Sequence, residues 1–98
     1  METAVHPFLM VQGAAEQAMT FYVGLIPNSE ILELERYGAA GPGAEGSVMK
    51  ATMSLGSQIV MVTDSAVAHG FSFTPAFSLF ADCSSQADLQ RIYAALAA

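Results

Sequence analysis

Two histidines and one aspartate are the side chains of this sequence that point most directly to chemistry. His6, which precedes a proline near the start of a predicted strand, could ligate a metal, act as a general base or form a hydrogen bond in a pocket wall. Asp64 and His69 lie in or beside one predicted loop, where a carboxylate and an imidazole could pair to orient a substrate or a water molecule. An aspartate before a serine also forms ordinary turn hydrogen bonds. We therefore keep His6, Asp64 and His69 as candidate catalytic residues and leave the catalytic role itself unassigned.

The composition of the chain restricts the classes of partner. Nine acidic and three basic side chains give a net charge of −6, which repels phosphate backbones and anionic lipid, so neither nucleic acid nor a membrane is an expected partner. A single cysteine, Cys83, excludes an intrachain disulfide and fits a reducing compartment. The amino-terminal residues lack the pattern of a signal peptide, and we expect a cytoplasmic protein. Hydrophobic residues make up 53% of the chain, which suggests that something outside the chain covers part of its apolar surface.

The first two thirds of the chain predict one helix and four strands. An apolar run at 5–11 predicts a strand, and the i, i+3, i+4, i+7 spacing of Ala18, Phe21, Tyr22 and Leu25 predicts a helix over 14–25 whose buried face is aromatic. Strands are predicted at 29–37, 47–55 and 58–63. The glycine-rich stretch 38–46 lacks the Lys-Ser or Lys-Thr of a phosphate loop, so it predicts a hairpin connection.

The Gly56-Ser57 pair predicts a two-residue hairpin turn, and such a turn fixes the register of the strands that it joins. Leu55 then faces Gln58, and alternation separates two faces of the hairpin. The uniformly apolar face, which we expect to contact the helix, carries Met49, Ala51, Met53, Leu55, Val60 and Val62. The opposite face carries Lys50, Thr52, Ser54, Ile59, Met61 and Thr63.

The last part of the chain predicts a partial repeat of the first. Residues 76–81 predict a strand, and Ser84 or Ser85 can cap a helix with an apolar stripe. That stripe consists of Leu89, Ile92, Tyr93 and Leu96. The fold class is therefore α+β: a βαβββ unit followed by an incomplete βα unit, with a mixed sheet that forms a cup, in one domain over 1–98.

Two stretches carry a resemblance to a known family: His6-Pro-Phe-Leu-Met-Val-Gln-Gly and Ala18-Met-Thr-Phe-Tyr-Val-Gly-Leu. They resemble the opening strand and helix of the vicinal oxygen chelate superfamily, which includes glyoxalase, bleomycin-resistance and dioxygenase proteins. Together with Glu45-Gly-Ser-Val-Met and residues 69–80, they are similar to its PhnB-like branch. Members of that branch often carry the name 3-demethylubiquinone 3-methyltransferase. The sequence has no glycine-rich strand-to-helix loop for S-adenosylmethionine, so we do not expect that activity.

The resemblance also implies where a metal would be bound. Enzymes of the superfamily hold a divalent metal with one ligand from the first and one from the fourth strand of each βαβββ unit. His6 falls at the first of these positions, Met61 and Ala76 fall at the next two, and the fourth lies beyond Ala98. Because a catalytic metal normally needs about three protein ligands, we predict no metal and no other cofactor. A divalent metal remains the alternative only if a partner chain adds ligands to His6.

The face of the hairpin away from the helix, extended by the neighbouring strands, predicts the lining of a small-molecule pocket. The predicted ligand-binding residues are Phe8, Met10, Lys50, Thr52, Ser54, Met61, Ser78 and Phe80. An inward ammonium on Lys50 would require a carboxylate or an anionic or carbonyl-rich ligand. The alternatives are that Lys50 extends to the rim and that the apolar residues pack against one another or against a partner chain.

These features predict a small-molecule-binding protein of unknown ligand. One alternative is a metal-dependent lyase, isomerase or dioxygenase-like enzyme whose site is completed by a second chain, and another is a structural dimerisation unit. We also expect a homodimer, because a strand at 76–81 would present an unpaired edge and apolar side chains to a second copy.

Overall fold

The computed structural model describes residues 3–66 and 76–98. The chain divides into two compact units, Met1–Ala68 and His69–Ala98. The first unit contains strand β1 (Phe8–Val11), helix α1 (Ala15–Leu25) and strands β2 (Glu30–Arg36), β3 (Val48–Leu55) and β4 (Gln58–Asp64). The described part of the second unit contains helix α2 (Gln86–Ala97). The α+β class and the βαβββ order are therefore confirmed. Neither helix in the described part of the chain is long and apolar enough to cross a membrane.

The sheet of the first unit has the strand order β1-β4-β3-β2, with β1 parallel to β4 and the other pairs antiparallel. The predicted hairpin register is confirmed from Leu55 opposite Gln58 to Ala51 opposite Val62. Gly56 begins the turn with a φ of 61°, a left-handed conformation that glycine adopts without steric cost. A local turn therefore decides which side chains share each face of the hairpin.

Helix α1 packs against one face of this sheet. The buried core of the first unit consists of Ala15, Met19, Val48, Ala51, Met53, Val60 and Val62. Four of the predicted helix-facing residues of β3 and β4 are thus buried and Leu55 is partly buried against them. Met49 is the exception, with 41% of its surface exposed. Glu35 pairs with Lys50 while Arg36 pairs with Val48, so Met49 is an extra residue in the ladder. This bulge turns Val48 into the core in place of Met49.

The predicted aromatic face of α1 is wrong. Ala15 and Met19 are fully buried, whereas Phe21 and Tyr22 remain 46% and 38% exposed and contact each other edge to face. The helix carries apolar residues on more than one side, so periodicity alone does not select the buried one. The small side chain of Ala15 and the flexible one of Met19 fit the close approach of helix to sheet.

The loop between β2 and β3 forms the predicted hairpin connection and closes over a buried tyrosine. The Tyr37 amide donates to the Ser47 carbonyl at 2.9 Å, and the Gly46 amide donates to the Tyr37 carbonyl at 3.0 Å. A Cβ atom on Gly43 would lie 2.5 Å from Cε2 of the Tyr37 ring. The ring cannot move away easily, because its hydroxyl donates to the Asp64 carbonyl at 3.0 Å.

We expect Gly43→Ala to lower the free energy of unfolding by about 1 to 3 kcal/mol, since the added methyl group overpacks against the held ring. Gly38→Ala is the matched control in the same loop, because a Cβ there has no heavy atom within 4 Å. Urea unfolding followed by circular dichroism measures both. Equal midpoints for the two variants would show that the loop moves away from Tyr37 without cost.

The second unit differs from the predicted βα pair. Residues 76–81 form no strand, and the sheet of the described residues contains only four strands. A short apolar run becomes a strand only where a neighbouring strand accepts its backbone hydrogen bonds, and local sequence does not specify that neighbour. The helix is confirmed. Ser85 caps α2, its hydroxyl accepting from the Asp88 amide at 3.1 Å.

Candidate functional site

The face of the sheet opposite α1, which we call the open face, contains six of the eight predicted ligand-binding residues. Strand pairing places Phe8 beside Met61 and Met10 beside Thr63, and the hairpin places Thr52 beside Met61 and Ser54 beside Ile59. The six residues are Phe8, Met10, Lys50, Thr52, Ser54 and Met61. Phe8 remains 59% exposed and Met10 37% exposed, so the part of this face that β1 forms is apolar and accessible.

Ser78 and Phe80, the other two predicted lining residues, lie in the irregular segment that precedes α2, and both are exposed. Their assignment to the pocket depended on side-chain alternation along a strand at 76–81. Because that strand does not form, alternation gives no reason to place them on the open face. The strand prediction is wrong, and the assignment of Ser78 and Phe80 to the lining stays a prediction without that support.

Among the histidines, His6 is exposed and immediately precedes the pairing of β1 with β4. That pairing extends back to Pro7, whose carbonyl accepts from the Met61 amide at 2.9 Å. Within the residues that the structure describes, no group of three or more histidine, cysteine, aspartate or glutamate side chains could hold a metal ion. His69 lies outside the described residues.

Asp64 is buried and binds backbone amides of three other residues. Its side chain is buried, with 3% exposed. Oδ1 accepts from the amides of Gly13 and Ala15, both at 2.9 Å, and Oδ2 accepts from the amide of Val48 at 2.8 Å. Helix α1 has no side-chain cap from its own N-cap residue. The Asp64 carboxylate of β4 caps the helix instead, and its negative charge interacts favourably with the positive end of the helix dipole. The structure thus gives Asp64 a role in holding α1, β3 and β4 together.

The sequence interpretation missed three carboxylates of β2. Glu30 pairs with Ser54, Glu33 with Thr52 and Glu35 with Lys50. Directly paired residues share a sheet face, so all three glutamates border the open face. A register shift between Ile31 and Glu33 interrupts the alternation of β2. The sequence contained one signal for this placement. If the apolar Leu34 packs against the core, alternation puts its neighbours Glu33 and Glu35 on the opposite face of the sheet.

Two other features lie on the helix side of the sheet. The Arg36 guanidinium binds both carboxylate oxygens of Glu16 at 2.7 Å, and this hydrogen-bonded pairing lowers the pKa of the Glu16 carboxyl. A shallow depression on the outer side of α1 is lined by Ala14, Gln17, Ala18, Thr20, Phe21 and Tyr22. It contains no charged side chain, so the open face remains the candidate site.

Comparison with known proteins places the chain in a family. The model of the 3-demethylubiquinone-9 3-methyltransferase family matches residues 3–98. The chain belongs to this family. It is also similar to a solved Bacillus cereus structure described as a putative 3-demethylubiquinone-9 3-methyltransferase, PhnB protein, with 43% identity and a TM-score of 0.93 over 98% of this chain and 74% of that one. The predicted PhnB-like branch of the vicinal oxygen chelate superfamily is confirmed.

Two more solved structures share the fold of this PhnB-like chain. A Staphylococcus aureus protein is 25% identical with a TM-score of 0.56, over 96% of this chain and 68% of that one. A Pseudomonas aeruginosa protein is 21% identical with a TM-score of 0.80, over 99% of this chain and 74% of that one. The search of curated proteins gives no match. These comparisons therefore show the fold and the family of the chain.

The residues of this PhnB-like chain do not fit the S-adenosylmethionine that the family name implies. Nucleotide-type cofactors of doubly wound proteins lie at a glycine-rich strand-to-helix turn, with the anionic group at the helix amino terminus. Here the corresponding turn, between β1 and α1, directs the Gly13 and Ala15 amides at the Asp64 carboxylate. A second anion there would meet a buried negative charge, so we derive no methyl-transfer step.

We predict that the purified protein contains no stoichiometric zinc, iron, nickel or manganese. Met61 and Ala76 occupy two of the positions at which the superfamily's enzymes are expected to have metal ligands. Elemental analysis of the wild type and of His6→Ala tests this. One equivalent of metal that disappears in His6→Ala would instead favour the metal-dependent enzyme completed by a second chain.

Proposed function

We propose that this PhnB-like chain is a small-molecule-binding protein whose ligand lies on the open face of the sheet. The observation that carries the proposal is the contrast between the two faces. One packs against α1 around fully buried residues, and the other leaves Phe8 and Met10 substantially exposed. Contiguous exposed apolar surface of this kind marks binding sites in soluble proteins.

The open face has an apolar half, formed by β1 and β4. Phe8, Met10, Ile59 and Met61 lie there, and β1 pairs in parallel with β4 along its whole length. Methionine side chains adapt to ligands of varied shape, and an aromatic ring offers a flat contact surface. This half suits the apolar body of a ligand.

The polar half, formed by β3 with Thr63 of β4 at its border, offers few groups that orient a ligand. The Ser54 hydroxyl already donates to the Gly56 carbonyl at 2.9 Å, and the Thr63 hydroxyl donates to the Met49 carbonyl at 2.6 Å. Both oxygens still accept hydrogen bonds, but their protons are used. The Lys50 ammonium is therefore the strongest hydrogen-bond donor on this half. Small-molecule sites typically contain a few polar groups of this kind, which orient the ligand.

Nile red, an uncharged aromatic dye with a carbonyl group, tests the proposal by its fluorescence increase on binding. We expect saturable binding that Phe8→Ala weakens about tenfold, because the substitution removes one large side chain from the contact surface. Phe21→Ala is the matched control, since Phe21 is similarly exposed at 46% but lies on α1. Absence of saturable binding, or an equal loss in both variants, would contradict the proposal.

A second role, self-association into a homodimer, is proposed from a different observation. The described part of the second unit exposes six large apolar side chains: Phe77, Leu79, Phe80, Leu89, Tyr93 and Leu96. Surface of this extent and composition is typical of interfaces between identical chains.

A further inference from the structure

We infer that the ligand of the open face is uncharged, with an apolar body joined to a hydrogen-bond acceptor such as a ketone or an amide, and that carboxylates, sulfonates and phosphates are rejected. This inference rests on the proposed function. The sequence alone left an anionic and a carbonyl-rich ligand equally open, because Lys50 would serve either. The pairing of β2 with β3 favours the carbonyl-rich ligand over the anionic one, because it places glutamates beside Lys50.

Two glutamates of β2 lie near Lys50 on the same sheet face. Glu35 is its direct partner across the β2–β3 ladder, and Glu33 is the partner of Thr52, one side chain further along the same face. Directly paired Cβ atoms lie about 5 Å apart and diagonal neighbours about 7 to 8 Å apart. An anion bound by Lys50 therefore also lies close to two negative charges, whereas a neutral acceptor takes the same hydrogen bond without that repulsion.

The ammonium of Lys50 is not held by the ion pairs of the described residues, which join Arg36 to Glu16 and Arg91 to Asp88. It is therefore available to donate to a ligand oxygen while Glu35 and Glu33 offset its charge. One lysine against Glu30, Glu33 and Glu35 leaves the open face negative, in keeping with the net charge of −6, so the wider field adds to the rejection of anions.

The strand order gives the ligand a direction and disfavours a cation. Adjacent strands lie about 4.8 Å apart, and the order β1-β4-β3-β2 puts β3 next to the apolar half and β2 beyond it. A polar group attached to a body on β1 and β4 therefore meets Lys50 and Thr52 before it meets the glutamates. A cationic group at that distance faces an ammonium, so an uncharged acceptor is the best match.

Three naphthalene probes of equal ring size test the charge preference: 2-acetylnaphthalene, 2-naphthoate and 2-naphthylmethylammonium. Titrations followed by amide chemical shifts of β3 and β4 give the three dissociation constants. We expect the ketone to bind most tightly. Lys50→Met should weaken ketone binding about tenfold, which is the size expected for loss of a hydrogen bond to a charged group.

Glu35→Gln should strengthen binding of 2-naphthoate by about threefold to tenfold, since it removes a negative charge at short range, and should leave the ketone nearly unchanged. Glu30→Gln is the matched control. It makes the same change of net charge on the same strand and face, but about 13 Å further along, because its partner Ser54 lies four residues from Lys50 on β3. That distance is beyond the screening length of about 8 Å at physiological ionic strength.

The outcomes separate the inference from the proposed function. If none of the probes binds saturably, the proposed function fails. If probes bind the open face but 2-naphthoate or the ammonium probe binds most tightly in the wild type, the inferred charge class is wrong. The same conclusion follows if Glu35→Gln and Glu30→Gln change naphthoate binding equally, because the discrimination would then come from net charge and not from the groups beside Lys50.

Discussion

Asp64→Ala is expected to remove most of the stability of the first unit, the largest effect of any single substitution considered for this chain. The substitution leaves the amides of Gly13, Ala15 and Val48 without their acceptor. Each buried donor without a partner costs about 1 to 3 kcal/mol. The sum, on the order of 3 to 9 kcal/mol, is comparable with the roughly 5 to 15 kcal/mol of net stability typical of a folded domain.

Urea unfolding measured by circular dichroism tests this expectation, with two further variants. Asp64→Asn keeps one carboxamide oxygen but turns an amide group toward one of the three donors, so its midpoint should fall between wild type and Asp64→Ala. Asp82→Ala, at an exposed aspartate of the second unit, should unfold like the wild type. An Asp64→Ala midpoint close to that of Asp82→Ala would show that the carboxylate is not needed for the fold.

The structural role of Asp64 was not predicted from the sequence, because its hydrogen bonds are non-local. Its acceptor oxygens meet amides that lie 51, 49 and 16 residues away along the chain. An aspartate before a serine suggests a local turn, because local hydrogen bonds are the ones that a single sequence reveals. The non-local arrangement depends on β4 lying in parallel beside β1, which brings Asp64 opposite Val11.

The hairpin shows the opposite case, where local sequence was sufficient. Two residues, Gly56 and Ser57, determine the turn, and the turn determines every pair from Leu55 opposite Gln58 to Ala51 opposite Val62. The apolar face therefore followed from alternation. The predicted alternation failed at Met49, because a β-bulge inserts one extra residue there and the sequence of the bulge does not differ recognisably from that of a regular strand.

The residues that share the open face were predicted where their placement depends on this register and were missed where it does not. Lys50, Thr52, Ser54 and Met61 share the open face because the hairpin places them there. Glu33 and Glu35 reach the same face through a strand whose pairing contains two register shifts. Ser78 and Phe80 were assigned from a strand that requires a partner outside the local sequence. Non-local pairing thus accounts both for the glutamates that were missed and for the predicted strand that does not form.

The protein is expected to be a homodimer at micromolar concentration, through side chains of the second unit. The earlier reason, an unpaired strand edge at 76–81, is removed because that strand does not form. The exposed side chains provide another. Phe77, Phe80 and Tyr93 are 57%, 92% and 72% exposed, and since a fully buried aromatic residue covers about 150 to 250 Å², these three offer about 400 Å². Leu79, Leu89 and Leu96, each roughly half exposed, bring the area toward the roughly 800 Å² per partner of a standard interface.

A second copy of the chain is the occupant that this surface fits best. The surface is apolar, while the chain carries a net charge of −6, so association must depend on burial of side chains and should persist at high salt, which screens the repulsion between copies. Light scattering after size exclusion at micromolar and submicromolar concentrations measures the mass. Phe80→Ser combined with Tyr93→Ser should shift the protein to monomer, since each lost contact is worth about 1.5 to 3 kcal/mol, whereas Phe21→Ser on α1 should not. A folded wild-type monomer at both concentrations, with unfolding independent of concentration, would show that the apolar side chains of the second unit do not bind a second copy.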